Sequence, residues 1–465
     1  MKKTSLLLII FSALLTGCTT TANQSEENPI LNIEGGQIQG VRSEAEGVLV
    51  YKGVPYAAPP VGDLRWKRPQ PVVAWQGVKV ADTFSNAAMQ RIRNPQDGQY
   101  GTEFHFRSDD PNFSEDCLYL NVWAPEYAPG HPDKKLPVAM WVHGGAYFGG
   151  WGFEMEMDGD AWAQRDVILV TINYRLGIFG FLNHSELSAE DPDHISGNYG
   201  LLDQIAALQW IKNNIAQFGG DPDNITIFGQ SAGGASICNL CVSPMSKGLI
   251  AKAIVQSGGG LGDFIPSGGG QTQADLDKGG DAMLKSMGFN TLAEMRAASA
   301  QDMYDAHTSI PRTAGIAMSP HIDGVVMDKS FEQATYDGTL ADVPYMLGYT
   351  ADDMADLSKP ILNFASVRDS LSTKPTYCYL FDRKLPSDGR ESLQGAFHSS
   401  ELWFVFHTLG RSWRPFTEAD FKLSDEMVDA WTNFAKYGNP NGQNGNAWAP
   451  ATKANPVIHE FKIKE

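Results

Sequence analysis

A serine placed between small residues constrains the fold of this chain more than any other feature. It is Ser231, in the segment GQSAG at residues 229–233, and the preceding residues 224–228 read NITIF. Such a β-branched and aromatic run favours a short strand. A sharp turn from that strand into a helix requires glycine, because a Cβ at either glycine would collide with neighbouring backbone. The segment therefore predicts a tight strand–turn–helix elbow that exposes the Ser231 hydroxyl at its tip.

The composition is that of a globular protein with ample material for a core. Of the 465 residues, 42% are hydrophobic and 19% are charged, as in ordinary folded domains. There are 36 basic against 54 acidic residues, so the formal net charge is −18. This balance disfavours nucleic acid and anionic membrane surfaces as partners. The sequence says nothing about the oligomeric state.

The N-terminus predicts a targeting segment that is separate from the fold. Two lysines near the start precede an apolar stretch at residues 6–15, which is too short to span a bilayer comfortably. The tetrapeptide LTGC at residues 15–18 resembles a bacterial lipobox. That resemblance implies that residues 1–18 are a signal segment, that Cys18 is lipidated, and that the polar residues 19–29 form a flexible tether.

This interpretation places the protein in a bacterial cell envelope, with membrane contact through the lipid anchor only. A plain secretory signal, cleaved nearby, is the alternative, and the protein would then be secreted. No later stretch of the sequence is apolar enough to cross a membrane.

Four further cysteines predict neither a disulfide scaffold nor a metal centre. Cys238 and Cys241 lie three positions apart on the helix expected after Ser231. They could pair or bind a metal, but no second Cys/His pair has zinc-like spacing. We expect small buried thiols.

Strand and helix patterns alternate through the middle of the chain. An alternating pattern predicts an antiparallel meander at residues 36–56. Apolar or alternating runs predict strands at residues 118–123, 138–142, 167–173, 225–228, 253–256, 343–348 and 376–381, of which the last two are the last clear strands of the sheet. Amphipathic spacing predicts helices at residues 200–217 and 423–437. The pattern predicts an α/β fold, with a mostly parallel, doubly wound sheet covered by helices on both faces. We expect a single domain over residues 30–465, with residues 258–306 as an insertion that caps the site.

A serine hydroxyl becomes a useful nucleophile only when a base removes its proton and an acid orients that base. In α/β-hydrolases the chain order is serine, acid, histidine. The loop after the strand at residues 343–348 offers Asp353, with Asp352 as the alternative acid. His398 follows the next strand and a polar loop, and His407 and His459 are its competitors. Of these, His407 lies in an aromatic run and His459 lies near the terminus, so His398 is the preferred base.

A second glycine-rich segment predicts backbone N–H groups that would stabilise the negative charge on the substrate oxygen during the reaction. Residues 141–146 read WVHGGA and directly follow a predicted strand. Backbone N–H groups aimed at one point form an oxyanion hole, and the segment matches the HGG-type loop of lipases and esterases.

Taken together, these segments resemble the type-B carboxylesterase family, which includes bacterial esterases, animal carboxylesterases and cholinesterases. The two signatures are FGGDP at residues 218–222 leading into ITIFGQSAGG, and EDCLYLNVW at residues 115–123. Further matches are NYR at residues 173–175, GNYGLLDQ at 197–204 and QSG at 256–258. The similarity covers roughly residues 30 to 460.

The resemblance implies an α/β-hydrolase fold and roles for individual residues. Ser231 is the expected nucleophile, His398 the general base and Asp353 the acid. Gly145, Ala146 and Ala232 are expected to supply the oxyanion N–H groups, Ser257 to hydrogen-bond the acid, and the pairs Arg65–Glu115 and Arg175–Asp203 to be structural ion pairs. The resemblance implies no metal and no cofactor.

Four departures from the family pattern stand out. The acid is an aspartate in TADDM at residues 350–354, where relatives usually carry glutamate. Only 45 positions separate Asp353 from His398, whereas relatives usually carry a longer helical insert there. The shorter segment implies a more open entrance to the active site on that side. Gln230 precedes the nucleophile where many relatives have glutamate. The family disulfide to Cys117 is expected to be absent, because Ala88 stands at its partner's position.

The expected function is carboxylic-ester hydrolysis through an acyl-enzyme intermediate, on small or aryl esters. Alternatives are a cell-surface esterase that removes feruloyl or acetyl groups from polysaccharide, and a non-catalytic binding protein of the same fold. Trp151, Phe153 and Trp403 are candidates to line the substrate pocket.

Overall fold

The computed structural model describes residues 28–91, 98–106, 111–262, 271–310, 318–389 and 394–463. The predicted signal segment, the lipidation residue Cys18 and nearly all of the tether lie outside these ranges, as does part of the predicted cap at residues 263–270. Within the described ranges, no helix is long and apolar enough to cross a membrane.

A ten-stranded sheet runs through the molecule and carries the site. Its strands are β3 (Val41–Arg42), β4 (Val48–Pro55), β8 (Tyr119–Pro125), β9 (Leu136–Val142), β10 (Ile168–Ile172), β11 (Gly220–Gln230), β12 (Lys252–Gln256), β13 (Tyr345–Thr350), β14 (Thr376–Phe381) and β15 (His459–Phe461). Their spatial order is β15-β14-β13-β12-β11-β9-β10-β8-β4-β3. The seven strands from β15 to β10 run parallel, and β8, β4 and β3 are antiparallel. The predicted mostly parallel sheet is confirmed.

Two small sheets flank the N-terminal side. They contain β1 (Ile30–Ile33), β2 (Gly36–Gln39) and β5 (Val78–Val80) in one, and β6 (Ala87–Ala88) and β7 (Phe113–Ser114) in the other. The antiparallel meander predicted at residues 36–56 is thus divided, because β2 joins the first small sheet while β3 and β4 extend the large one.

Helices connect the strands and cover the large sheet. The α-helices of the described ranges are α1 (Gly98–Phe104), α2 (Asp160–Ala163), α3 (Gly177–Phe181), α4 (Ser185–Glu190), α5 (Tyr199–Asn214), α6 (Ala232–Val242), α7 (Gln273–Ser286), α8 (Leu292–Ala297), α9 (Ala300–Ser309), α10 (Phe331–Tyr336), α11 (Ser358–Leu371), α12 (Leu402–Val405) and α13 (Glu418–Tyr437). The predicted helices at residues 200–217 and 423–437 correspond to α5 and α13.

The core has two layers because successive side chains of each strand point to opposite faces of the sheet. In β9, Val138 and Met140 pack with the α5 and α6 side. Ala139 and Trp141 of the same strand pack with the α13 side. Burial on both faces explains the nearly continuous apolar runs of the central strands.

One strand of the sheet was not predicted from the sequence. The strand at residues 376–381 is not its last strand, since β15 pairs in parallel with β14 through Tyr379 and His459. A three-residue strand is too short to show alternation, so it carries no recognisable pattern in the sequence.

Candidate active site

The elbow forms as the glycine pattern predicts, at the junction of β11 and α6. Ser231 has φ 57° and ψ −125°, a backbone conformation that side-chain-bearing residues rarely adopt. A Cβ added at Gly233 would lie 2.0 Å from the carbonyl oxygen of Val142, and one at Gly229 would lie 2.6 Å from the carbonyl carbon of Gly233. The close backbone approach therefore requires both glycines, and it holds Ser231 in its strained position.

His398 and Asp353 are in direct contact. The Nδ1 atom of His398 lies 2.6 Å from Oδ1 of Asp353, and both side chains are almost completely buried. Burial tends to raise the pKa of Asp353, but the hydrogen bond and charge of His398 outweigh it and hold that pKa below its ordinary value. An ionised carboxylate here places the imidazole proton on Nδ1 and leaves Nε2 as an acceptor.

Asp352, the alternative acid, has a different set of contacts. Its Oδ2 accepts a hydrogen bond from the backbone N–H of Ala396 at 2.8 Å, and its own N–H donates to the Ala396 carbonyl. Asp352 thus ties the loop after β13 to the segment that carries His398. The structure places Asp353, and not Asp352, against the imidazole.

Ser257 follows β12 and lies beside Asp353. Its hydroxyl is buried and helps to lower the pKa of the Asp353 carboxyl. It nevertheless makes no hydrogen bond of regular geometry within the described residues. Ser257 therefore lies where the resemblance expects it, close enough to the Asp353 carboxyl to lower its pKa.

The glycine loop, residues 143–150, follows β9 and contains the predicted oxyanion donors. Gly145 and Ala146 both have positive φ, 95° and 55°, and the carbonyl of Gly145 accepts bonds from the N–H groups of Phe148 and Gly149. This tight turn orients the loop beside the elbow. Ala232 is the first residue of α6, where backbone N–H groups have no partner within the helix.

Ser231, His398 and the glycine loop surround one cavity of about 470 Å³. Its wall also includes Phe148 and Met354, which are 41% and 68% exposed and give the cavity an apolar rim. Tyr304, on α9, is a lining residue from the insertion predicted as a cap. Besides His398, the ionisable side chains in the wall are Arg91, Tyr100, His105, Glu154, Glu156 and Tyr304.

The three aromatic candidates for the pocket wall belong to the packing around it. Trp403 is fully buried and donates to Glu103 at 3.1 Å. Phe153 stacks on another ring at 4.4 Å, and Trp151 packs against His105. Sequence alone does not distinguish a pocket aromatic from a core aromatic, because the distinction depends on tertiary packing.

The competing histidines lie elsewhere. His407 bonds the Ser424 hydroxyl at 2.8 Å on the α13 side, and His459 stacks on Trp448 at 4.6 Å at the edge of the sheet. The two predicted structural ion pairs are formed and buried, with N–O distances of 2.6 Å for Arg65–Glu115 and 2.7 Å for Arg175–Asp203. The four cysteines of the described chain are buried thiols.

Two features of the site were not anticipated from the sequence. Helix α1 lies against the histidine, where the Tyr100 hydroxyl donates to the His398 carbonyl at 3.3 Å. The carboxyl of Glu401, three residues after His398, is fully buried, and its Oε1 accepts only a long bond from Gln256 at 3.4 Å. Burial, reinforced by the charge of Asp353, raises the pKa of Glu401 to about 7.

Within the described ranges, no cluster of three or more His, Cys, Asp or Glu side chains is arranged to hold a metal ion. The site instead combines an elbow serine, a histidine–aspartate pair and a glycine loop at the carboxyl ends of β11, β13 and β9. These are the elements of an α/β-hydrolase.

Comparison with known proteins assigns the family. The family model described as "Carboxylesterase family" matches residues 27–366 and 355–465. The para-nitrobenzyl esterase of Bacillus subtilis is 33% identical, over 93% of this chain and 93% of its own length. The fumonisin B1 esterase of Sphingopyxis macrogoltabida is 32% identical, over 93% and 86%.

Solved structures agree with this assignment. A thermophilic PNB esterase superposes with a TM-score of 0.79 at 31% identity, covering 94% of this chain and 96% of that one. The chain belongs to the carboxylesterase family, and it is an enzyme that hydrolyses carboxylic esters. This confirms the family, the fold and the general activity expected from the sequence.

Proposed function

We propose that Ser231, His398 and Asp353 form the catalytic triad of this esterase. The observation that carries the proposal is the 2.6 Å contact between His398 Nδ1 and Asp353 Oδ1, in a histidine that shares its cavity with the elbow serine. An ionised Asp353 selects the tautomer in which Nε2 can accept a proton, and it stabilises the imidazolium that forms.

In the acylation step, the Ser231 oxygen attacks the ester carbonyl while its proton passes to Nε2 of His398. The carbonyl oxygen becomes negatively charged and is stabilised by the backbone N–H groups of Gly145, Ala146 and Ala232. Each such donor contributes roughly 3 kcal/mol to the transition state. His398 then gives its proton to the leaving alcohol as the tetrahedral intermediate collapses.

Deacylation repeats these steps with water as the nucleophile. His398 accepts a proton from water as the water oxygen attacks the acyl carbon, and it returns that proton to Ser231 when the acid leaves. The two half-reactions use the same oxyanion donors, so no additional group is needed.

We further propose that the preferred substrates are small or aryl esters. The cavity of about 470 Å³ and the apolar rim of Phe148 and Met354 are of a suitable size and character. The relatives named para-nitrobenzyl esterases support the same class. Lipidation at Cys18, with anchoring in a bacterial cell envelope, is a separate part of the proposal and is motivated by the lipobox pattern alone.

The substrate class is tested with a panel of esters in which acyl length and alcohol type vary independently. We expect the highest kcat/KM for short acyl esters of aryl alcohols. Turnover of acetylated or feruloylated polysaccharide, with little turnover of aryl esters, would instead support the cell-surface polysaccharide esterase.

A further inference from the structure

Both ring nitrogens of His398 have hydrogen-bonding neighbours in the structure. Nδ1 meets Asp353, as described above, and Nε2 lies 3.2 Å from the amide nitrogen Nε2 of Gln230. An amide nitrogen can only donate a hydrogen bond, so the imidazole Nε2 must be the acceptor. The two contacts are therefore consistent with a single state, which is a neutral imidazole with its proton on Nδ1.

The Gln230 carboxamide is held in place between the imidazole and the glycine loop. Gln230 is the last residue of β11, is 2% exposed, and pairs with Gln256 of β12. A Cβ added at Gly144 would lie 3.3 Å from the Gln230 Oε1 atom, so the oxygen end of the amide packs against this loop. The Nε2 atom at the other end of the amide faces His398.

We infer that Gln230 is a positioning residue that favours the neutral form of His398. Its N–H group stabilises an unprotonated Nε2 and cannot face an Nε2–H group without repulsion. During acylation the Ser231 Oγ–H bond breaks, the proton moves to Nε2, and the hydrogen bond from Gln230 is lost. The amide thus orients the neutral imidazole before the reaction, and its contact with Nε2 must break before the serine proton is transferred.

The inference rests on the proposed role of His398 as general base. Three ionisable groups face this histidine from its surroundings, namely Asp353 after β13, Tyr100 on α1 and Glu401 on its own segment. The cavity wall adds Arg91, His105, Glu154, Glu156 and Tyr304. None of them is altered in the variants below, so a change in titration reports on position 230.

Gln230→Glu is the sharpest test, because a carboxylate has almost the same shape but accepts hydrogen bonds instead of donating them. It would pair with the protonated imidazole and raise the pKa of His398. Gln230→Leu removes the donor without adding a charge, so its effect should have the same direction and be smaller. Gln394→Glu adds an equal charge at an exposed position on the segment leading to His398, and it is the matched control.

Two readouts are measured for each variant: the pH dependence of kcat/KM for p-nitrophenyl acetate, and the titration of the His398 imidazole by NMR. We expect Gln230→Glu to raise both pKa values by about one unit, which lowers kcat/KM about tenfold on the acidic side. Gln394→Glu should titrate like the wild type.

Unchanged pKa values in Gln230→Glu would overturn the inference, and so would an equal shift in Gln394→Glu. If the charged variant does not fold, a wild-type pKa in Gln230→Leu would overturn it as well. The NMR titration needs no turnover. It therefore tests the contact even if His398→Ala retains activity and the proposed triad is wrong.

Discussion

At the scale of single residues, the adjacent carboxylates of Asp352 and Asp353 make different contacts near His398. Asp353 bonds the imidazole, and Asp352 bonds the backbone of the segment that carries it. Aspartate is one methylene shorter than the glutamate usual in this family. The backbone tie through Asp352 brings the two loops close enough for the shorter side chain to reach Nδ1.

Because Asp353 and Asp352 make different contacts, replacing each of them by asparagine should affect activity unequally. Asp353→Asn should lower kcat by roughly 10³-fold or more, because the neutral amide neither selects the tautomer nor stabilises the imidazolium. Asp352→Asn keeps an oxygen acceptor for the Ala396 N–H, so its loss should stay within about tenfold. The test is to measure kcat for both variants by steady-state kinetics. Similar losses in the two would mean that Asp353 is not the catalytic acid.

Glu401 gives a prediction about stability and pH. Its pKa in the folded protein is raised from an ordinary 4.5 to about 7. The folded state therefore binds more protons than the unfolded state between these values, and stability falls as pH rises through that window. The neutral side chain in Glu401→Gln does not ionise, so the variant avoids the cost of burying a charged carboxylate at high pH. The free energy of unfolding of the variant, relative to that of the wild type, should therefore increase by about 3 kcal/mol between pH 4.5 and pH 8.

The measurement for Glu401 is urea unfolding of both proteins across that pH range. The wild type should lose stability relative to the variant on the alkaline side of pH 5. A constant difference between the two proteins would mean that Glu401 is not protonated at low pH in the way described.

At the scale of elements, α1 is held over the histidine by a buried ion pair. Arg414 and Glu103 lie 2.7 Å apart with almost no exposure, and Trp403 donates to the same carboxylate. Tyr100 of α1 reaches the His398 carbonyl. The helix has seven residues, two of them glycine, so its stability must come from these tertiary contacts.

Removing one member of this pair should be costly, because it leaves a buried charge without its partner. Arg414→Met is expected to lower the free energy of unfolding by about 3–5 kcal/mol, and the double variant Glu103→Leu/Arg414→Met should lose less. Chemical denaturation of the three proteins measures this. A double variant less stable than the single one would contradict the argument.

Elements differ in how well the sequence predicts them, and the reasons are physical. The elbow and the glycine loop could be predicted because close backbone approach demands glycine at local, fixed spacings. Asp353 could be proposed because chain order and strand position narrow the choice of acid. β15 and α1 could not be found, since three residues show no period and α1 depends on contacts with distant residues. The contact of Gln230 with His398 likewise joins positions 168 apart.

At the scale of the whole molecule, the sheet assembles the site from distant segments. The elbow, the glycine loop and the acid follow β11, β9 and β13, which lie within one parallel sheet and end at one edge. The strongly negative net charge disfavours electrostatic attraction to anionic lipid. Membrane attachment would then depend on the proposed lipid at Cys18.

This dependence can be tested in the full-length protein. Cys18→Ser should move the esterase from the membrane fraction to the soluble fraction and abolish labelling by a fatty-acid analogue. Its hydrolysis of p-nitrophenyl acetate should equal that of the wild type, because the residues known to line the cavity are unchanged in this variant. Unchanged membrane attachment in Cys18→Ser would contradict lipidation at this residue.

The proposed role of Ser231 as the nucleophile is tested most directly by mapping the adduct of a fluorophosphonate probe by mass spectrometry. We expect one phosphonyl group per chain, attached to Ser231, and no labelling or ester hydrolysis in Ser231→Ala. Labelling at another residue, or a Ser231→Ala variant that hydrolyses aryl esters at the wild-type rate, would contradict it.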